Sequence, residues 1–569
     1  YLDGIEVPIA FHFGGITSFY PSGMLSDLSV TAGGYDAAYG RAAGGVVTLT
    51  TREPRVDRWR MGGSIGLFDS SIQAEGPWQG GGLVVGLRRS YLDRIVAPFV
   101  PDDTPLPSYY DFQLRTTFGD ARKRGKITPM IFSSIDRVAS NEVALTSLFV
   151  RVAAPYTYVR GPITYHVVPW IGTNRLTFTD KSGDDGEPEE SFSRPFYPGG
   201  VRADATRDYR WGHLRAGLEI ESGYLAATQI NVEDEEGFGS DSTLSWTDLA
   251  GFAELRWKLD GERFAIKPGL RVEAYGLTGE VIVDPRLNIH QQLTPTLTLR
   301  QAIGRFHQPP TPGDLDPVDG NPRLDSSYTD QLALGVDAEL PSEILATVTG
   351  YFNYGRGLGV KVQNPRPGSE TVEPNLGGLG PTFELLLEKQ LGFAFYREDI
   401  GRSRSYGLEV LLKRNVGKLF TLLSYTLAKS ERTDDPRVLV GWRPFELDQR
   451  HNLQVAVSRQ WPKWRLGGRV QIVSGNPYTR EVPDDVPLVG PPFSQHLPMF
   501  FSLDLRADRR WHRCWGDIVF FIDIQNVTNR RNVEGRELGF NPNTGQEEET
   551  DIKGLPIIPF IGVEFRPTI

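Results

Sequence analysis

The chain has 569 residues, more than one ordinary soluble domain, so it is either several domains or one large architecture. Its 62 Gly and 41 Pro are scattered along the whole length, which works against long helices, and no run of ~18 apolar residues offers a transmembrane helix. A formal net charge of −10, with no basic cluster interleaved with stacking aromatics, argues against nucleic acid as a partner, and the lone Cys514 excludes an internal disulfide.

The chain opens Tyr1-Leu2-Asp3-Gly4-Ile5-Glu6-Val7, with neither a start methionine nor a leader. That reads as the middle of a domain, so further residues are expected upstream. Residues 1–55 are glycine-rich, with Gly14-Gly15, Gly33-Gly34, Gly40 and Gly44-Gly45. Their apolar strand candidates are short, Leu28 to Thr31 and Val46 to Thr50. Glycine pairs allow tight turns and close backbone approach, which suits a small domain in a confined space; an edge hairpin is the alternative.

From Trp59 to Phe565 the dominant signal is alternation of period two. Leu332, Leu334, Val336 and Ala338 oppose Ala333, Gly335, Asp337 and Glu339. Tyr406, Leu408, Val410 and Leu412 oppose Gly407, Glu409, Leu411 and Lys413. Phe501, Leu503, Leu505 and Ala507 oppose Ser502, Asp504, Arg506 and Asp508. Soluble sandwiches alternate as well, but here strand after strand puts charges on the polar face, as a wet lumen requires. Connections alternate too. Tight turns fall at Leu259-Asp260-Gly261-Glu262, Leu340-Pro341-Ser342, Asn415-Val416-Gly417-Lys418 and Trp461-Pro462-Lys463. Long polar excursions cover 178–205, 223–247, 305–328, 355–403, 430–446, 475–498 and 530–555. This is the pattern of an all-β transmembrane antiparallel barrel of roughly 22 strands, too wide for its own side chains to fill and therefore needing a small plug domain in its lumen.

The ordered series in 28–51 resembles the end of the plug domain of TonB-dependent receptors. It runs from an apolar strand through Gly33-Gly34, Tyr39-Gly40-Arg41 and Gly44-Gly45 into a second apolar strand and a Thr. Leu2-Asp3-Gly4-Ile5-Glu6-Val7 resembles the family's plug strand carrying Asp-Gly. Further on, Gly304-Arg305-Phe306-His307-Gln308-Pro309-Pro310 with Gly320-Asn321-Pro322, Ser405-Tyr406-Gly407-Leu408-Glu409-Val410, Asp448-Gln449-Arg450-His451-Asn452, Ser474-Gly475-Asn476-Pro477-Tyr478 and Gln525-Asn526-Val527-Thr528-Asn529 resemble recurrent barrel elements in the right order. The N-terminal half of the plug and the TonB-contacting box do not appear in this sequence.

The resemblance implies a receptor of the bacterial outer membrane, with residues 1–55 as the C-terminal part of a plug and 56–569 as barrel. Such a protein binds a scarce solute at the cell surface and imports it when the TonB energy-transducing complex pulls on the plug. Gly33, Gly34, Tyr39, Gly40, Gly44 and Gly45 carry the plug motif, and Arg41 with Glu409 is expected to join plug to barrel. The ligand, a small molecule or metal chelate, is expected at His12, Phe13, Phe19 and Tyr20 on the plug and at Arg194, Phe196, Tyr197, Arg305 and His307 on the barrel, since Arg and aromatics suit an anionic chelate. Outer-membrane lipids including lipopolysaccharide, and an outer-membrane lipoprotein, are the other expected partners. Acidic runs at 184–187, 233–236 and 314–320 read as solvated loop charge or as oxygen ligands for calcium. No metal site, cofactor or catalytic constellation is expected; there is no His-Glu-x-x-His helix, P-loop or nucleophile elbow. The rival reading is a non-transporting barrel that serves as a structural or surface-interaction scaffold.

Overall fold

The computed structural model describes all residues except 14, 16, 100–103, 142, 181–189, 232–239, 261–262, 316–320, 362–396, 434–440, 481–491, 542–545 and 568–569. One antiparallel sheet dominates it and closes on itself. Three of its strands are interrupted: Gly125–Ile127 continues as Met130–Ala139, Val143–Ala153 as Tyr156–Arg160, and Arg443–Pro444 as His451–Gln460. Counted with each of these as one strand, the described residues form a ring of 22. Closure comes where Arg60–Gly66 pairs with Ile558–Pro567, in register over Gly63↔Phe565 to Gly66↔Gly562. Among the described residues no helix is long and apolar enough to cross a membrane.

At one end of the ring neighbouring strands are joined by turns of two to four residues, such as Gln79-Gly80, Arg210-Trp211, Gly417-Lys418 and Cys514-Trp515. Connections at the other end run up to the 35 residues of 362–396. Two expected excursions are shorter than the sequence suggests. Ile163–Asp180, Glu190–Tyr209, Gly212–Asn231 and Ser240–Leu259 occupy most of 178–205 and 223–247. At 18 to 20 residues they exceed the ~9–11 that cross a bilayer, so these hairpins project beyond it. Their outer ends mix polar residues with scattered apolar ones, which mimics a loop in sequence while the backbone ladder continues. Residues 530–555 likewise contain a hairpin, Val533–Asn541 with Gln546–Lys553.

Exposure decides which face meets lipid. Leu218 and Ile220 are 68% and 50% exposed, whereas Glu219 between them contacts residues inside the ring. Val281 and Val283 are open, while Ile282, Asp284 and Arg286 are buried. Leu270 and Val272 flank Arg271, which is 1% exposed. Apolar side chains face outward and charged ones inward, the inverse of a soluble sandwich and the arrangement of a lipid-embedded barrel.

Residues 1–55 lie inside the ring. Their one sizeable hairpin pairs Leu25–Thr31 with Val46–Thr51. Asp3 and Gly4, at φ 48° and 86°, form a type I′ turn that pairs Leu2 with Ile5, so the expected Asp-Gly strand is a tight turn. Leu2, Ile5, Phe19, Tyr20, Met24 and Leu49 pack against Val84, Phe132, Phe149 and Trp170 of the wall in one apolar cluster. A second cluster joins Tyr35 and Val46 to Phe306, and a third joins Ala37 and Ala38 to Phe252.

Candidate functional site at the plug and inner wall

Arg41 follows the hairpin's first strand on a turn, at φ 57°. Its guanidinium bonds Glu219, lies 2.7 Å from Glu221 and reaches Asp248 at 3.8 Å. Burial opposes its charge, and the carboxylates of Glu221 and Glu219 outweigh that, holding the group charged. Around it the turn's carbonyls are clasped by wall arginines. Arg202 donates to Ala38 O, and Arg286 Nη1 donates to Asp36 O and Tyr39 O at 2.6 Å each. Arg271 bonds Glu273 and Glu219. Glu409 is not among Arg41's partners, so the expected pairing is corrected. Pleat phase predicts that Glu409 faces inward but not which strand lies beside the turn.

The motif glycines have steric reasons here. A Cβ on Gly40 would overlap Glu273 and Arg271, and Gly34 combines φ 65° with a close approach to Ala302. Gly33 lies against Gln331, whose amide donates to Ala43 O, and Gly45 lies against Thr31. Gly44 has open space around it, and nothing in the structure explains it. Tyr39 lies under the Arg202 guanidinium at 4.9 Å.

A second polar contact centres on His12. Its ring is fully buried and stacked on wall residue Tyr109 at 4.0 Å. Nδ1 lies 2.6 Å from Asp136 Oδ1, and Nε2 lies 3.1 Å from Asp111 Oδ2. Arg88 Nη2 shares that Asp111 oxygen at 2.7 Å. Burial alone would lower the imidazole's pKa, but the hydrogen bonds to Asp111 and Asp136 raise it above its ordinary value. Carboxylate oxygens at both ring nitrogens favour the protonated ring, against the Arg88 guanidinium, whose Nη2 lies 3.1 Å from Nε2.

The expected ligand residues divide three ways. His12, Phe19 and Tyr20 are sealed between plug and wall; Phe13 is half-buried beside Tyr109. Arg194 and Phe196 share the inward pleat of Arg202, and Phe196 stacks on Trp246 at 5.4 Å and 10°. Trp246 packs over Gly223, where a Cβ would overlap its ring. Tyr197 is on the outward pleat, 45% exposed and stacked on Tyr224. Arg305 follows Ile303 outward, paired to Asp330 at 2.7 Å and set over Tyr328. His307 bonds Asp284 at 2.5 Å. The barrel candidates therefore do not converge on one side of the wall. Sequence reasoning missed Trp246 and the carboxylates around Arg41 and His12. Arg271 and Glu273 alternating with Leu270 and Val272 was the available signal for the inner wall.

The acidic runs at 184–187 and 233–236 lie outside the described residues, as do residues 316–320 of the third. Among the described residues no three of His, Cys, Asp and Glu are placed to hold a metal ion. Cys514 is exposed in its turn.

The family model described as TonB dependent receptor-like, beta-barrel matches residues 137–527. The chain belongs to the TonB-dependent receptors. This receptor is therefore a protein of the bacterial outer membrane, in a family of receptors and transporters rather than enzymes. No curated protein sequence matches it. Solved structures do. The outer membrane transporter YddB from Escherichia coli superposes with a TM-score of 0.71 at 10% identity, over 99% of this chain and 89% of that one. The copper transporter OprC gives 0.73 at 13%, over 97% and 87%. The ferric enterobactin receptor PfeA from Pseudomonas aeruginosa gives 0.72 at 14%, over 99% and 89%. At these identities the likeness is one of fold.

Proposed function

We propose that this receptor imports a bulky anionic solute with a flat or aromatic surface, a metal chelate foremost, and that the solute docks on the inner wall above Arg41. The observation that carries this is the Phe196–Trp246 stack on the lumen face, with Arg194 two residues nearer the loop end on the same pleat. A paired aromatic face accepts a planar group, and arginine adds charge-assisted hydrogen bonds. The choice of a metal chelate follows the copper and ferric enterobactin named for two of the similar structures.

Residues 1–55 serve as the C-terminal part of the plug and 56–569 as the barrel. The hairpin leaves Leu28 and Val30 58% and 65% exposed, a face that further plug residues would cover. TonB supplies the pull through the plug, lipopolysaccharide surrounds the outer half of the barrel, and a lipoprotein partner is a further expectation. The activity is transport, without chemistry on the cargo.

Binding is tested by titrating the purified receptor with ferric catecholate, ferric hydroxamate and copper chelates. Replacing both Phe196 and Trp246 by Ala should weaken the best of them roughly tenfold. Unchanged affinity would place the ligand elsewhere. Uptake that persists in cells lacking TonB would favour the scaffold reading.

A further inference from the structure

A trough of about 700 Å³ lies on the wall across the closing seam. Met61, Ile65, Ile72, Leu87, Phe112 and Ile135 line it, and small residues at Gly63, Ser70 and Ser133 form its floor. These side chains are on the outward pleat, because their neighbours Arg88, Asp111 and Asp136 reach inward to His12. A concave apolar surface in a bilayer is filled by acyl chains.

Two arginines stand at its loop end. Arg89 is on the outward pleat of Gly81–Ser90, exposed, with its guanidinium 5.1 Å from the Tyr110 ring. Arg137 is two residues beyond Ile135 on the same face, opposite Ser108, and is also exposed. The register places Tyr110 opposite both Arg89 and Ile135, so the two guanidinium stems are two strands apart, about 10 Å across the sheet. Among the described residues neither arginine has a carboxylate partner. Lipid-facing arginine is unfavourable in the bilayer middle and tolerable where headgroups begin. The long connections mark this end as the outer surface, since outer-membrane barrels keep their short turns in the periplasm.

We propose that this trough is a binding site for a phosphorylated, multiply acylated glycolipid of the outer leaflet, the chemistry of lipid A. The acyl chains occupy the trough over the seam, and Arg89 and Arg137 hold the phosphates by charge-assisted hydrogen bonds. The site rests on the lipopolysaccharide contact proposed above, and gives it a place.

The test uses the intact receptor in detergent with bis-phosphorylated lipid A, dephosphorylated lipid A or phosphatidylethanolamine, and counts bound lipid by native mass spectrometry. Wild type should retain bis-phosphorylated lipid A at least fivefold better than either of the others. Arg89→Gln with Arg137→Gln should remove that preference, and Arg89→Lys with Arg137→Lys should keep most of it. Ser133→Trp, which fills the trough from the lipid side, should lower occupancy with the arginines intact. Heat-dependent gel migration confirms a folded barrel in each variant. Equal retention by the Gln variant, or preference for phosphatidylethanolamine, overturns the site. No lipid A retention by wild type ends both the site and the lipopolysaccharide contact; undiminished retention in every variant ends only the site.

Discussion

Arg41 holds a left-handed backbone conformation that costs a non-glycine residue about 1 kcal/mol or more, and it does so in contact with three wall carboxylates. Arg41→Ala should leave Glu221 and Asp248 beside Glu219 with only Arg271, bonded to Glu219, as a cation among them. Breaking a buried pair from one side costs about 3–5 kcal/mol, so the plug should become open to protease at lower urea than in wild type. Protection equal to wild type would show that the clamp does not hold the plug. His12 gives a different signature. Its pKa is raised in the folded protein, so its contribution is complete below the ordinary imidazole value and fades as pH rises through the raised one. Asp111, Asp136, Arg88 and Tyr109 surround it. Proteolytic release of residues 1–55 should therefore increase on the alkaline side, and His12→Gln should flatten that dependence. Neither role is visible in the local sequence. His12 sits between Phe11 and Phe13 just ahead of Gly14-Gly15, which reads as an aromatic loop, and the two carboxylates that seal it come from about 100 residues or more away.

Strands were the legible element. The outward run of Phe501, Leu503 and Leu505 against Ser502, Asp504 and Asp508 is the same in sequence and structure, because pleat phase is a local property. Strand ends were less legible. Above the bilayer, Gly212–Asn231 and Ser240–Leu259 continue pairing where the apolar alternation that marked them has stopped. Which strand meets which plug residue was not legible at all: Glu409 and Glu219 share a pleat logic, and only the three-dimensional path of the Arg41 turn separates them. The lipid-facing assignment has its own test. Leu218→Arg should cost about 2–4 kcal/mol in vesicles, read from urea unfolding, because residue 218 lies near mid-height on the outward pleat. A loss near zero would remove lipid from that face.

The whole molecule is a wide ring occupied by residues 1–55. A variant lacking them should form a large, steady conductance in planar bilayers, whereas the intact protein should not. Similar currents from both would mean that the lumen is open already. The seam gives the ring a further property. Its partners meet over four residue pairs, Gly63↔Phe565 to Gly66↔Gly562, and stand about 500 residues apart in the chain. Nothing short-range can bring them together, so the barrel must wait for its final strand while two bare edges stay open to any other strand nearby. Completion is thus a single late event at a narrow join, and that join is where assembly is most exposed to error and to outside help.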